Sequence, residues 1–90
     1  IINDPSTYIT IKPNTMYVWD VVNNLNITLS DPIPDIVNEY IIQFKSNSAG
    51  TTSITLPSTV KLSEELEIES NCIYQISIVN NLATVLKWEA

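Results

Sequence analysis

Residues Ile11–Leu29, IKPNTMYVWDVVNNLNITL, align without a gap with Ile68–Leu86, IESNCIYQISIVNNLATVL, at an offset of 57 residues. Eight of the 19 positions are identical: Ile11/Ile68, Asn14/Asn71, Tyr17/Tyr74, Val22/Val79, Asn23/Asn80, Asn24/Asn81, Leu25/Leu82 and Leu29/Leu86. Strand-rich segments of this length share about two positions by chance, so the alignment reads as an internal repeat. The two copies take up 38 of the 90 residues, so what one copy folds into weighs heavily on the fold.

Each copy has the grammar of a β-hairpin. An asparagine opens it, a strand of period 2 follows, Asn-Asn supplies two residues that tolerate positive φ, and a second strand closes it. The alternation places Tyr17, Trp19 and Val21 on one face of copy one, and Cys72, Tyr74, Ile76 and Ile78 on the equivalent face of copy two. These faces are the expected core. The opposite face of copy one carries Met16, Val18 and Val22 with only Asp20 polar, where copy two has Ile73, Gln75, Ser77 and Val79. A strand apolar on both faces fits one packed against another subunit, so Met16, Val18 and Val22 are candidate interface residues.

Between the copies, Tyr40, Ile42 and Phe44 alternate with Glu39, Ile41, Gln43 and Lys45, and a loop on SNSAG leads to Thr52–Leu56, with Ile54 and Leu56 inward. This reads as a middle hairpin, introduced by Asp31-Pro32 and Pro34-Asp35 and ended by Pro57. In KLSEELEIES, Leu66 and Ile68 alternate with Glu65, Glu67 and Glu69, which predicts a charged edge strand. Ile9 and Ile11 suggest one more strand near the start. The expected fold is a single all-β domain, an antiparallel β-sandwich or barrel of about seven to eight short strands.

Ten acidic against four basic residues give a net charge of −6, which repels nucleic-acid backbones and anionic bilayers. No apolar run approaches the roughly 18 residues needed to span a bilayer, and IINDPSTY does not have the grammar of a signal peptide. The chain begins at Ile1 and reads as the C-terminal part of a longer polypeptide. Its apolar fraction of 44% is ample for so small a domain, which points to docking or self-association.

Chemistry finds little to work with. Without histidine, Ser-His-Asp and Cys-His arrangements and histidine metal sites are excluded. Glu64, Glu65, Glu67 and Glu69 could be offered as paired carboxylates or a calcium site, but alternating strand side chains do not converge, and they read as solvated edge charge. Asp31 and Asp35 flank two prolines and read as turn residues rather than ion ligands. Cys72, the single cysteine, lies in phase with core residues and has no basic neighbour to activate it. The glycosylation triplet at Asn26–Thr28 is a common chance match. No catalytic residue, metal or cofactor is expected. Of the aromatics, Tyr17, Trp19, Tyr40, Phe44 and Tyr74 are in phase with the core, whereas Tyr8 and Trp88 are uncommitted, and Trp88 joins the candidate interface residues.

Thr52 with Leu56-Pro57-Ser58-Thr59-Val60-Lys61, then Asn71, Tyr74, Ile76-Ser77-Ile78, Asn80 and Leu82, form a pattern that resembles the C-terminal β-rich domain of virion fibre proteins of phages and prophages of gut bacteria. The upstream MYVWDVVNNLNITL resembles that family's opening hairpin, so the resemblance covers nearly the whole chain. A tryptophan common after STVK in the family is Leu62 here. The resemblance implies a non-enzymatic fibre-tip module on the virion exterior, of head-fibre type first and tail-fibre type second. It also implies a homo-oligomer, with a trimer favoured, contact with other virion proteins, and host attachment through a surface glycan. The alternative from another class is a carbohydrate-binding module of a secreted bacterial enzyme. An enzyme is the third reading and has no residues to carry it.

Overall fold

The computed structural model describes residues 8–62 and 67–89. They form eight strands and no helix: β1 (Tyr8–Ile11), β2 (Thr15–Val22), β3 (Asn24–Leu29), β4 (Glu39–Ser46), β5 (Ser53–Thr55), β6 (Lys61–Leu62), β7 (Cys72–Val79) and β8 (Leu82–Glu89). The strands divide into a three-stranded sheet of order β1-β3-β5 and a five-stranded sheet of order β2-β4-β7-β8-β6. Neither sheet closes into a barrel.

The expected antiparallel arrangement holds for only part of the molecule. Of the six strand pairings, β1–β3, β2–β4, β3–β5 and β6–β8 are parallel, while β4–β7 and β7–β8 are antiparallel. From β1 to β5 the chain alternates between the two sheets, and each strand lies parallel to the one two places earlier. This first half is a short two-sheet coil, and β7–β8 completes its larger sheet as a hairpin. The predicted middle hairpin is absent for the same reason: β4 and β5 belong to different sheets.

The two VNNL segments therefore do different work. At the second, Asn80 and Asn81 adopt φ of 53° and 61°, as a two-residue hairpin turn requires, and β7 pairs directly with β8. At the first, neither Asn23 nor Asn24 takes positive φ, and the chain steps from one sheet to the other. The β4–β5 loop holds that crossing: Thr52 Oγ1 donates to the Val22 carbonyl at 2.7 Å, and the Ser53 N–H donates to the Asn23 carbonyl at 3.0 Å. Replacing Asn81 with alanine should accordingly cost about 1 kcal/mol or more through left-handed backbone strain, and Asn24→Ala far less. Thermal melts of the two variants compare them directly.

A repeat of whole hairpins is thus not shown. The segments that open β2 and β7 do share local geometry. Asn14 and Asn71 both lie at positive φ, 60° and 52°. Tyr17 and Tyr74 each turn the phenol back to accept the N–H five residues earlier, from Lys12 at 2.9 Å and from Glu69 at 2.7 Å. Thr15 Oγ1 and Cys72 Sγ each donate to the carbonyl two residues before, at 3.4 and 3.3 Å.

The core lies between the sheets. Tyr17, Trp19, Tyr40, Ile42, Phe44, Cys72, Tyr74, Ile76, Ile78 and Ala83 from the larger sheet meet Ile11, Leu25 and Ile27 from the smaller. Tyr17 stacks on Trp19 at 6.1 Å and Phe44 on Tyr74 at 5.5 Å, contacts worth about 0.5–1.5 kcal/mol each beyond burial. Val21 departs from its predicted inward place and is exposed, because a bulge between Val18 and Val21 reverses the alternation. The same reversal turns Val22 inward, where it packs against the core and not on the second face with Met16 and Val18. Glu67, Ile68 and Glu69 are not in a strand, which corrects that part of the predicted acidic edge strand. Glu64, Glu65 and Leu66 lie outside the described residues.

Candidate functional site

Two surfaces stand out. The first is the outer face of the five-stranded sheet, where strand register fixes the neighbours. Met16 lies beside Ile41, Ile41 beside Ser77, and Ser77 beside Thr84. In the next row Val18 meets Gln43, Gln43 meets Gln75, and Gln75 meets Leu86. Lys45 pairs with Ile73 and Ile73 with Trp88, while Glu39 pairs with Val79 and Val79 with Leu82. Met16, Val18, Ile41, Ile73 and Val79 are half-buried by their neighbours. Leu82, Leu86 and Trp88 remain 61%, 49% and 48% exposed, a large apolar area to leave in water.

Met16, Val18 and Trp88 thus share one face, though β4 and β7 separate the first two from the third. Sequence reading missed Ile41, Leu82 and Leu86 as members of it. The signal was present in YIIQF, where Ile41 breaks the alternation, and in LATVLKW, where Leu82, Leu86 and Trp88 keep a common phase. Charge touches the face only at its margins. Glu39 accepts a hydrogen bond from the Ser77 hydroxyl, and Lys45 lies 3.6 Å from Asp20.

The second surface is an open groove of about 800 Å³ at one end of the molecule, between the β3–β4 loop, the β5–β6 turn and the β7–β8 turn. Asp31, Asp35, Thr59, Asn80 and Asn81 supply polar groups, and Leu29, Ile36 and Val37 an apolar wall. Asn38 stiffens the loop: its Oδ1 accepts from the Ile33 N–H at 2.9 Å, and its Nδ2 donates to the carbonyls of Ile33 and Ile36 at 2.8 and 3.0 Å. Asp35 sits at φ 68° in the turn, a conformation that aspartate tolerates better than most residues. Three segments remote in sequence form this groove, so no local pattern announced it.

Tyr40 lies at the base of the groove, buried, with its hydroxyl donating to the Ser30 carbonyl at 2.7 Å. Burial, and then the negative charge of Asp31, raise its pKa above the ordinary phenol value. A phenol raised on folding stabilises fully below its unfolded pKa, and that contribution is lost as pH climbs through the folded value. Tyr40→Phe is expected to cost about 1 kcal/mol at neutral pH and to blunt the loss of stability above pH ~10. Denaturant titrations at pH 8 and pH 11 measure both effects.

Among the described residues, no three His, Cys, Asp or Glu side chains gather into a group able to hold a metal. Glu69 reaches Lys87 at 3.0 Å, and that hydrogen bond is the main reason the lysine pKa is raised. Cys72 is buried, its Sγ directed at the Ser70 carbonyl. The indole N–H of Trp19 is buried and has no acceptor among the described residues. Comparison of the chain with protein-family models, with curated proteins and with solved structures gives no match.

Proposed function

We propose that this chain is a non-enzymatic structural module of a bacteriophage virion, a fibre-tip domain of head-fibre type that decorates the particle exterior as a homo-oligomer, with a trimer favoured. The observation that supports this reading most is where the residues carrying the resemblance fall. Thr52 pins the sheet crossing, and Leu56 packs on the core. Pro57 and Val60 close a turn at 3.0 Å, and the Lys61 N–H donates to the Asn81 carbonyl at 2.7 Å. Asn71 and Asn80 take positive φ, Tyr74 holds the backbone before β7, and Ile76 and Ile78 are core. These are framework positions, so the resemblance rests on residues that build the body of the domain and not on a reacting centre.

A module of this kind acts by being held in multiple copies on a particle and by presenting a surface. The groove favours a second reading, a tail-fibre or receptor-binding domain, because amide, hydroxyl and carboxylate groups beside an apolar wall suit a host-surface glycan. A carbohydrate-binding module of a secreted enzyme would use the same groove. Peptide mass spectrometry of density-gradient fractions separates these classes. The chain should co-sediment with phage capsid proteins, whereas recovery only with secreted enzymes would overturn the virion reading.

A further inference from the structure

We infer that the outer face of the five-stranded sheet is the surface through which copies of this chain pack against one another. The inference rests on the homo-oligomer of the proposed function and adds its interface. It follows first from composition by position. The two central rows of the face, Met16-Ile41-Ser77-Thr84 and Val18-Gln43-Gln75-Leu86, contain no charged side chain, in a molecule of net charge −6. Two copies each bring the same excess of acid, and they can approach closely only where acid is absent. Glu39 at one margin keeps its charge while Ser77 donates to it, with Lys61 beside Leu82 at the far end of that row, and Lys45 at the other margin lies against Asp20, so each margin carries both signs.

Area agrees. Strands β2, β4, β7 and β8 each run eight residues. At about 3.3 Å per residue and about 4.8 Å between strands, they offer about 500 Å² in projection. Two such faces together reach about 1,000 Å², the lower bound for a specific interface.

The same chemistry selects the occupant. A basic partner would find no row of carboxylates here and an acidic partner no row of cations. A second copy supplies a β surface of matching apolar content, and copies related by a closed rotation can each turn this face toward the shared axis. It also supplies Gln43 and Gln75, whose amides are donor and acceptor at once and so can pair with their own kind.

The test uses the 90-residue chain, with size-exclusion light scattering at about 50 µM and on dilution, and tryptophan emission recorded alongside. Trp19 is buried within the subunit and stays constant, so a red shift on dilution reports Trp88. Wild type should run as an oligomer, and Leu86→Asp and Val18→Asp should each raise the dissociation constant about 10- to 100-fold. Thr59→Asp, in the groove, should leave assembly unchanged. Far-UV circular dichroism checks folding, and Leu86, half exposed, carries the test should Val18→Asp unfold. A wild-type monomer would overturn the homo-oligomer and the interface together. An oligomer untouched by Leu86→Asp, or dissociated by Thr59→Asp instead, would overturn this interface and leave the oligomer standing.

Discussion

Phe44→Ala is expected to destabilise the chain by about 3–5 kcal/mol, the usual cost of deleting a buried aromatic ring. Phe44 is fully buried, faces Tyr74 in register across the β4–β7 ladder, and stacks on it at 5.5 Å. Removing the ring forfeits its own burial and opens a cavity beside Tyr74, whose hydroxyl holds the backbone at Glu69. A chain of 90 residues has about 5–13 kcal/mol of stability at the customary value per residue, so this single change would consume much of it. Urea denaturation of both proteins at one fixed concentration reads the difference, and Phe44→Leu should recover a large part. A loss below about 1.5 kcal/mol would mean that β4 and β7 do not meet through these rings.

Thr52→Val should cost about 1–3 kcal/mol although it changes shape very little. Thr52 is buried; its hydroxyl donates to the Val22 carbonyl at 2.7 Å and accepts the Asn47 N–H at 2.8 Å. Valine fills the same space and leaves both backbone groups without that partner, so the penalty is one of unmet hydrogen bonding and not of packing. The loss should appear in urea denaturation together with faster hydrogen exchange at Asn47 and Ser53, since Ser53 donates to Asn23 at the same crossing. If the first VNNL segment were a hairpin corner, this substitution would be nearly silent.

That crossing also shows where the sequence stops being legible. Side-chain alternation reports which residues face a core, and it did so for Tyr17, Trp19, Tyr40, Ile42, Phe44, Tyr74, Ile76 and Ile78, all of them buried. Alternation has the same period in parallel and antiparallel strands, so it carries no information on strand direction, and the wound first half was hidden from it. Asn-Asn permits a hairpin turn without compelling one. At Asn80-Asn81 the long-range bond from the Lys61 N–H to the Asn81 carbonyl leaves the turn in place, whereas at Asn23-Asn24 a hydroxyl 30 residues along the chain takes the carbonyl of Val22. The bulge before Val21 was equally invisible, and one extra residue sufficed to send Val21 out and Val22 in.

The candidate surfaces were legible in proportion to how local they are. Met16 and Val18 could be found because one strand is apolar on both sides. Leu82 and Leu86 needed the knowledge that β8 lies in the same sheet as β2, which only tertiary structure supplies. The groove needed three loops brought together and left no trace in any one of them.

Immunogold electron microscopy of intact, gradient-purified phage particles, with an antibody against the β3–β4 loop, tests the central claim most directly. Ile33, Ile36 and Val37 of that loop are exposed, and none of them belongs to the strands that form the proposed contact between copies. Gold should decorate the outside of intact particles at projecting positions. Unlabelled intact particles, with the antigen found only free of them, would contradict the assignment of this chain to the exterior of a virion.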